Sequence, residues 1–404
     1  MATEQTDRED LFDSEINKDE SLLIASQAQL IWWRFRKHRV ALVCTIILAS
    51  MYIIVLFPEF FAIHDPTIEN TRRSYTPPQG IHFFEGWKPV RPYVYGLKSE
   101  RNPETYALEH TADKEVKYDI IFFAKSYEYE TWNLFHGDRH LFGLRAPPDV
   151  QWAHLSGTRA ETMTLEGERM PFHPLGTDMM GRDMFSRIIY GTRVSMSIGL
   201  VGVAISFFLG ILIGGISGFS SGFTDNFIQR MIEFFRSIPT LPLWIGLSAV
   251  LPRDWSVVKM YFAITVIISL IGWTTLAREV RGRFLSMRQE DFVTAAVLYG
   301  TKRLRIIFRH MVPSFISHII AVLTLSIPSI IIAETSLSFL GIGMRTPAIS
   351  WGVLLSDAQQ LRTVASAPWL MIPGGIVILV VLCFNFMGDG IRDAADPYSD
   401  SGGE

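Results

Sequence analysis

Six long apolar runs alternate with polar stretches along the chain, and each predicts a helix that crosses a membrane. The runs lie at 40–57, 194–219, 227–251, 260–277, 312–333 and 368–387. A helix needs about 20 mostly apolar residues to span the hydrocarbon core of a bilayer. The third run is interrupted by Pro239 and Pro242, and such breaks are tolerated where protein or a cavity meets the freed backbone groups. Pro328 predicts a kink in the fifth run.

The stretch between the fourth and fifth runs is strongly basic. From Arg278 to His310 it has eight Lys and Arg residues and three acidic residues, a net charge of about +5. Burying such cations at the centre of a bilayer costs roughly 2.5 to 3.5 kcal/mol each, and basic loops stay on the cytoplasmic side. The basic residues within 34–39 place the N-terminus on that same side. With six spans, both termini and this loop are therefore expected in the cytoplasm.

The basic loop has the pattern of two short helices around a glycine corner. Apolar positions at i, i+3, i+4 and i+7 predict one face of the first helix, made by Phe292, Ala295, Ala296 and Tyr299. Gly300 ends that helix, because glycine adopts a left-handed C-cap conformation at the least cost. Thr301 is predicted to cap the second helix. The apolar face of the second helix is predicted to consist of Leu304, Ile307, Phe308 and Met311.

An unusually long segment, residues 58–190, separates the first two runs. Aromatic and β-branched residues predict strands at 92–97 and 114–123. We therefore expect a small β-containing domain on the extracytoplasmic side. The sequence HGDRH at 136–140 offers imidazole and carboxylate groups that suit a metal ion, and an ordinary polar loop is the alternative.

Composition narrows the function classes. The 404 residues are 49% hydrophobic and the mean hydropathy is +0.23, which is typical of a membrane protein. The net charge of -3 gives no reason to expect a nucleic-acid partner. Both cysteines, Cys44 and Cys383, lie in apolar runs, so no disulfide framework is expected. The Walker A pattern does not occur in the sequence, so the chain is not expected to hydrolyse ATP by itself.

The basic loop resembles the "EAA" loop of ABC importer permeases. TAAVLYG at 294–300, followed by HMVP at 310–313, has the spacing of that motif. Four positions match it: Ala295, Ala296, Gly300 and Pro313. Thr294 stands where the family has Glu, and His310 replaces the usual Ile, as is common in the oligopeptide and dipeptide branch.

Three further segments resemble landmarks of the same branch. They are HPLGTDMMGRD and the residues after it (173–200), AETSLSFLGIGMRTPAISWG (333–352) and FNFMGDGIRDAADP (384–397). The resemblance covers about 170–400 and the first span, whereas residues 64–170 match no motif of the family.

The resemblance implies an all-α polytopic permease of six transmembrane helices with a cytoplasmic coupling helix, here interrupted by the β-containing insert. Residues 290–301 would dock on an ATPase, and the predicted docking residues are Asp291, Ala295, Ala296, Gly300, Thr301 and Arg303. The implied partners are a homologous second permease, two ABC ATPase subunits that bind ATP and Mg²⁺, an extracytoplasmic solute-binding protein and membrane lipid. No cofactor is expected in this chain. The implied location is the bacterial inner membrane, and the implied cargo is peptide, with nickel, glutathione and sugars left open.

The predicted organisation has five parts. They are a cytoplasmic segment at 1–39 with an interfacial helix or a simple basic anchor, a first span at 40–57, the insert at 58–190, a core at 191–390 whose coupling loop is 278–313, and a tail at 391–404.

Four charged residues are candidates for the outer mouth or gate of the pore: Asp178, Arg182, Asp183 and Glu334. An acid at the end of a span is a functional candidate by default, although Glu334 has the alternative of pairing locally or capping a bend. For Asn385, a hydrogen bond between helices is the favoured interpretation.

Two other classes of protein remain as alternatives. An ion-driven secondary transporter predicts buried acids within the spans and inverted repeats. A membrane-anchored structural or sensory protein, with 64–170 as its working part, would not need the basic loop or the corner at Gly300.

Overall fold

The structure is a computed structural model that describes residues 27–395, apart from 102, 104–107, 133, 146–171, 221 and 253. The N-terminal part of the predicted segment 1–39, up to residue 26, lies outside the described residues, as does the chain after 395. Three helices come first: α1 Gln27–Lys37, α2 Arg39–Leu56 and α3 Pro58–Phe61. The first apolar run is therefore confirmed as one helix, α2.

Most of the remaining helices follow the insert. They are α4 Met184–Phe219, α5 Phe223–Ser237, α6 Thr240–Ala249, α7 Val257–Met287, α8 Asp291–Leu298, α9 Arg303–Ile306, a π-helical turn Ile307–Met311, α10 Val312–Ser314, α11 Ile316–Phe339, α12 Trp351–Ser356, α13 Leu361–Ser366, a 3₁₀ turn Pro368–Met371 and α14 Ile372–Ala395.

Five helical segments in the described part of the chain are long and apolar enough to cross a membrane. They are α2, α4, α7, α11 and the segment Pro368–Ala395 that ends with α14. Five of the six predicted runs thus form long helices, and α11 continues through Pro328. The chain is a mostly helical, polytopic membrane protein.

The third run forms two shorter helices instead of one. Helix α5 ends at Ser237 and α6 begins at Thr240. Between them, Ile238 and Pro239 are extended, with ψ values of 127° and 128°. The ring of a proline disfavours helical geometry in the residue before it, which explains the break at Ile238.

A close helix contact joins α4 to α7 through a glycine. A Cβ atom on Gly214 would lie 2.4 Å from the backbone oxygen of Ala277. Small residues allow membrane helices to approach this closely. The main core contains Cys44 of α2 and Cys383 of α14, both buried free thiols, together with side chains of α4, α7 and α11.

A four-stranded antiparallel sheet occupies the insert. The strands are β1 His82–Glu85, β2 Lys88–Arg101, β3 Leu108–Thr131 and β4 Phe135–Leu144, in that spatial order. Tyr93 pairs with Asp119, and Thr131 pairs with Phe135 at the β3–β4 turn. The strands predicted at 92–97 and 114–123 lie within β2 and β3, so both are confirmed.

The sheet is attached to the start of α4 and to the segment after α3. The Ser186 hydroxyl accepts hydrogen bonds from the backbone N–H groups of Ile63 (3.1 Å) and His64 (2.9 Å). His140 of β4 contacts the Ala62 carbonyl at 2.7 Å. Ile63 also belongs to the small core beneath the sheet, with Val94, Ile120, Leu144 and Phe172.

Candidate functional site

The corner at Gly300 is closed by two backbone hydrogen bonds. Gly300 has φ +70°. Its N–H donates to the Val297 carbonyl at 2.9 Å, and the Thr301 N–H donates to the Ala296 carbonyl at 3.1 Å. These two bonds and the left-handed residue form a Schellman motif. The predicted glycine corner is therefore confirmed.

The capping role predicted for Thr301 is wrong. The second helix begins at Arg303, and its N-cap is Lys302, whose side chain makes no capping hydrogen bond. The Thr301 N–H is instead used to close the first helix. Arg303 therefore occupies the first turn of α9, where a cation is unfavourable to the helix dipole.

The predicted apolar face of α8 is divided: Phe292, Ala295 and Tyr299 are exposed, whereas Ala296, also a predicted docking residue, is buried. Val293 and Ala296 are the buried positions, whereas Phe292 is 42%, Leu298 83% and Tyr299 89% exposed. Helix α8 has apolar residues on all sides, so spacing alone does not determine which side faces the protein. The outcome is an exposed apolar surface, Phe292, Leu298 and Tyr299, which we call the corner surface.

The second helix also departs from the prediction. The four residues of its predicted apolar face differ in burial: Ile307 and Met311 are buried, whereas Leu304 and Phe308 are about half exposed. The chain forms a π-helical turn over Ile307–Met311. A π-turn inserts an extra residue into the helical repeat, so a pattern of period 3.6 assigns the wrong positions to the buried face.

The loop is packed directly onto the ends of the long helices. Val293 and Ala296 of α8 belong to one buried cluster with Phe284 of α7, Met311 of the π-turn and Ile319 of α11. Any displacement of α8 therefore acts on α7 and α11 through close-packed side chains, since protein interiors transmit strain.

The remaining predicted docking residues lie on the surface of the same loop. Asp291 is in the first turn of α8, where a negative charge is favourable. Asp291, Ala295, Gly300 and Arg303 are exposed, and Thr301 is half-buried.

One arginine of the basic stretch has a structural partner that the sequence did not reveal. Arg281 of α7 donates to both carboxylate oxygens of Asp225, each at 2.6 Å. The Ser217 hydroxyl donates to the same carboxylate at 2.5 Å. These hydrogen bonds join α5 to α7 and α4. In the sequence, the only sign of this ion pair is a charged residue next to an apolar run.

Asp178 and Arg182, two of the predicted mouth residues, are brought together. The buried Asp178 carboxylate accepts from Arg182 Nε at 2.7 Å and from Arg187 Nη1. The backbone N–H of Met180 also donates to it, at 2.8 Å. Arg187 is fully buried on α4 and lies 3.6 Å from Asp357. Arg187 was not predicted from the sequence, although it lies nine residues from Asp178 in the same motif.

Asp183 belongs to a neighbouring network. It caps α4 by accepting from the Ser186 N–H at 2.7 Å, and its other oxygen lies 3.0 Å from His173 Nδ1. Burial raises the pKa of Asp183, but the hydrogen bond to His173 and the charges of His64 and His173 outweigh this, so the pKa falls below its ordinary value. Burial lowers the pKa of His64 to about 4.

Within the part of the chain that the structure describes, His64, His173 and Asp183 form a group that could hold a metal ion, since one donor atom from each lies within 4.8 Å of the others. Each already has a protein partner: His64 Nε2 contacts the Phe172 carbonyl at 3.0 Å, and His173 contacts Asp183. These hydrogen bonds explain the cluster without a ligand.

The side chains of HGDRH have separate partners. His140 is buried between the carbonyls of Ala62 (2.7 Å) and Tyr127 (3.1 Å). Asp138 pairs with Lys125 at 2.9 Å, and His136 lies 3.3 Å from Glu130. The ordinary polar interpretation therefore describes this stretch better than a metal site.

Glu334 is fully buried on α11, in a different network from the other mouth candidates. Its carboxylate accepts from Ser338 at 2.8 Å and from Ser195 of α4 at 3.2 Å. Ser195 in turn accepts the backbone N–H of Trp351 at 3.1 Å. Glu334 thus joins α11, α4 and α12.

A cavity of about 560 Å³ lies between α4, α6, α7, α11 and α14. Its polar lining includes Ser206, Trp244, Glu279, His318 and Arg392. Among the described residues, Ser206 Oγ and Trp244 Nε1 are buried without a hydrogen-bond partner. A buried polar group without a partner calls for an explanation, and a passing solute or water is one.

Comparisons with known proteins match most of the chain outside the sheet. A family model described as a binding-protein-dependent transport system inner membrane component matches residues 210–398. A second, the N-terminal TM domain of oligopeptide transport permease C, matches residues 26–78.

Two relatives show the extent of the similarity. The oligopeptide transport system permease protein OppC of Haemophilus influenzae is 38% identical over 250 residues, which are 62% of this chain and 75% of that protein. The dipeptide transport system permease protein DppC of Bacillus subtilis is 37% identical over 227 residues, 56% of this chain and 68% of that protein.

A solved structure of the MetNI methionine ABC transporter, in an inward facing conformation, is similar with a TM-score of 0.41 and 16% identity. The match covers 53% of the present chain and 98% of the chain in the solved structure. At this level the likeness does not decide the fold.

Proposed function

This chain belongs to the family of binding-protein-dependent transport system inner membrane components, and from that premise we propose that it forms half of the translocation pore of an ATP-driven importer of peptides. The relatives are named for oligopeptides and dipeptides, which supports peptide as the cargo. The observation that carries the proposal is the corner surface, an exposed apolar surface on a basic loop that is packed onto two long helices.

The corner surface suits docking on an ATPase subunit. Leu298 and Tyr299 lie next to the Schellman corner and are mostly exposed, so the surface is both apolar and rigid. Large exposed apolar side chains grouped in one place mark a binding site. Arg303, Asp291, Ala295 and Thr301 would surround the contact. ATP and Mg²⁺ would be bound by the ATPase and not by this chain.

The coupling step follows from the packing. Closure of two ATPase subunits would displace α8, and Val293 and Ala296 would carry that displacement to α7 and α11. Both helices line the 560 Å³ cavity that contains Ser206 and Trp244. We therefore assign this cavity to the translocation path, which a homologous second permease would complete.

The proposed topology has six crossings, with the broken pair α5–α6 as the third. The basic loop and both termini would lie in the cytoplasm of a bacterial cell, and the sheet on the opposite side. The pair of short helices is supported by the cavity, since a break in a membrane helix is tolerated where it faces protein or water.

The charged residues beneath the sheet would brace the outer mouth. Asp178, Arg182 and Asp183 hold the segment before α4 in place, and Glu334 ties α4 to α11. The insert would cover the pore mouth or guide the solute-binding protein. If Asp183→Ala leaves both assembly and uptake unchanged, the bracing role is refuted.

Reconstitution of the chain with its permease, ATPase and binding-protein partners tests the proposal. Uptake of labelled di- and oligopeptides into vesicles should require ATP and the binding protein, and mass spectrometry of the purified complex should identify bound peptide. Uptake driven by an ion gradient without ATP would refute the proposal in favour of a secondary transporter. Bound nickel, glutathione or sugar would correct the cargo alone.

Deletion of the sheet tests whether uptake and ATPase binding depend on different parts of the chain. Removal of 64–170 should reduce uptake more than it reduces binding of the ATPase, because the corner surface is built by other residues. An equal loss of both would contradict a role for the insert at the mouth.

A further inference from the structure

The turn between β3 and β4 exposes three large apolar side chains. Trp132, Leu134 and Phe135 are 55%, 74% and 66% exposed, and we call them the hairpin tip. Single exposed apolar residues are common on the surfaces of soluble proteins, whereas a contiguous group of them marks a site of contact with another protein or a membrane.

The hairpin tip lies at the end of the first membrane helix. The indole N–H of Trp132 donates to the carbonyl of Leu56, the last residue of α2, at 2.9 Å. The guanidinium of Arg193 lies 4.9 Å above the Trp132 ring and donates to the Val55 carbonyl at 3.1 Å. These contacts hold the turn at the end of α2.

The apolar surface of α2 continues onto the tip. Ile53, Leu56 and Phe57 are 52%, 48% and 45% exposed at that end of the helix. Ile53 and Phe57 line one apolar recess together with Phe135 of the hairpin. The exposed apolar surface at the end of α2 therefore continues to the turn of the sheet.

The chemistry of the tip suits the boundary between lipid and water. Tryptophan is enriched at this depth, because its ring is apolar while its N–H needs a partner. Here the N–H is already bonded to Leu56. The charge of Arg193 is paired with Glu59 at 2.6 Å, so the guanidinium above the Trp132 ring is compensated.

We propose that the hairpin tip inserts into the interfacial region of the leaflet at which α2 ends, and that phospholipid is its partner. The contact would hold the sheet against the membrane beside the pore mouth. It rests on the membrane span of α2 and does not depend on the cargo or on the docking of an ATPase.

Spin labelling of the full chain in phospholipid vesicles tests the proposal. The label is placed at Leu134→Cys in a background of Cys44→Ala and Cys383→Ala, and its collision rates with oxygen and with a water-soluble nickel chelate are compared. A label at Trp87→Cys, in the β1–β2 turn and 100% exposed, is the control. We expect the ratio of oxygen to chelate collisions to be higher at Leu134→Cys than at Trp87→Cys. An equal or lower ratio overturns the proposal, and so does protection from both reagents, which would mean a protein cover.

Quenching by brominated lipid gives a second measurement on a nearly unaltered chain. The fraction of tryptophan fluorescence that brominated lipid quenches should fall in Trp132→Phe, because this variant lacks the indole proposed to reach lipid. The same fraction should not fall in Trp87→Phe. If Trp132→Phe leaves the quenched share at its original value, the indole does not reach lipid and the proposal fails.

Discussion

Substitution of Gly300 by valine should weaken docking of an ATPase without disturbing the membrane core. Gly300 has φ +70°, and a Cβ atom at this position would meet nothing within 4 Å. The penalty of a side chain is therefore conformational and not a clash with a neighbour. For an L-residue the left-handed conformation costs roughly 1 to 2 kcal/mol.

The expected loss of affinity follows from that cost. If the corner must be closed for the corner surface to bind, a penalty of 1 to 2 kcal/mol lowers affinity by a factor of about 5 to 30. Gly300→Asn is the matched control, because asparagine enters the left-handed region with its side chain bonded locally. It adds a side chain of similar volume at the same place, so it reproduces the bulk without most of the strain.

The measurement is binding of a purified ATPase subunit to the chain in lipid nanodiscs. The dissociation constant should increase for Gly300→Val and stay near that of the original chain for Gly300→Asn. In thermal unfolding, Gly300→Val should be less stable than Gly300→Asn by no more than this roughly 1 to 2 kcal/mol, since no buried contact is changed. Equal binding of the two variants would refute the role of the corner geometry.

Three further predictions concern stability in detergent, measured by thermal unfolding. Gly214→Val should lower the free energy of unfolding by about 1 to 3 kcal/mol, because the new side chain forces α4 away from α7. The control Gly282→Ala, which lies in open space on α7, should raise it by roughly 0.5 to 1 kcal/mol. Equal effects of the two substitutions would contradict the close approach of the helices. Arg187→Met should lower the free energy of unfolding by about 3 to 5 kcal/mol, because it removes an ion-pair partner from the buried Asp178. An unchanged melting temperature would contradict this prediction. Burial lowers the pKa of His64 from 6.5 to about 4, so the folded chain holds this side chain neutral where the unfolded chain would protonate it. The free energy of unfolding should therefore be highest above pH 6.5 and fall by up to about 3 kcal/mol as the pH drops to 4. His64→Gln should flatten that slope, and a slope as steep as before would refute the assignment.

Local signals in the sequence predicted much of the fold. Run length and hydropathy located five long helices, because a span needs little beyond its own apolar residues. Aromatic and β-branched content located β2 and β3. The corner at Gly300 was predictable because a C-cap is a local device, built from backbone hydrogen bonds within six residues.

The rest depended on contacts that spacing does not encode. Helix α8 is apolar on all sides, so only its packing against Phe284 and Met311 decides that Val293 is buried. The π-turn at Ile307–Met311 shifts the periodicity of the second helix. The ion pair of Asp225 with Arg281 joins residues 56 positions apart, and charge alone does not identify such partners.

Photo-crosslinking from the corner surface tests the central claim most directly. A photoreactive amino acid at Tyr299, which is 89% exposed, is irradiated in intact cells, and the same group at Trp87 of the sheet serves as the control. We predict that Tyr299 captures an ABC ATPase subunit, in an amount that changes with nucleotide, and that Trp87 does not. Capture of an extracytoplasmic protein from Tyr299, or of an ATPase from Trp87, would contradict the account.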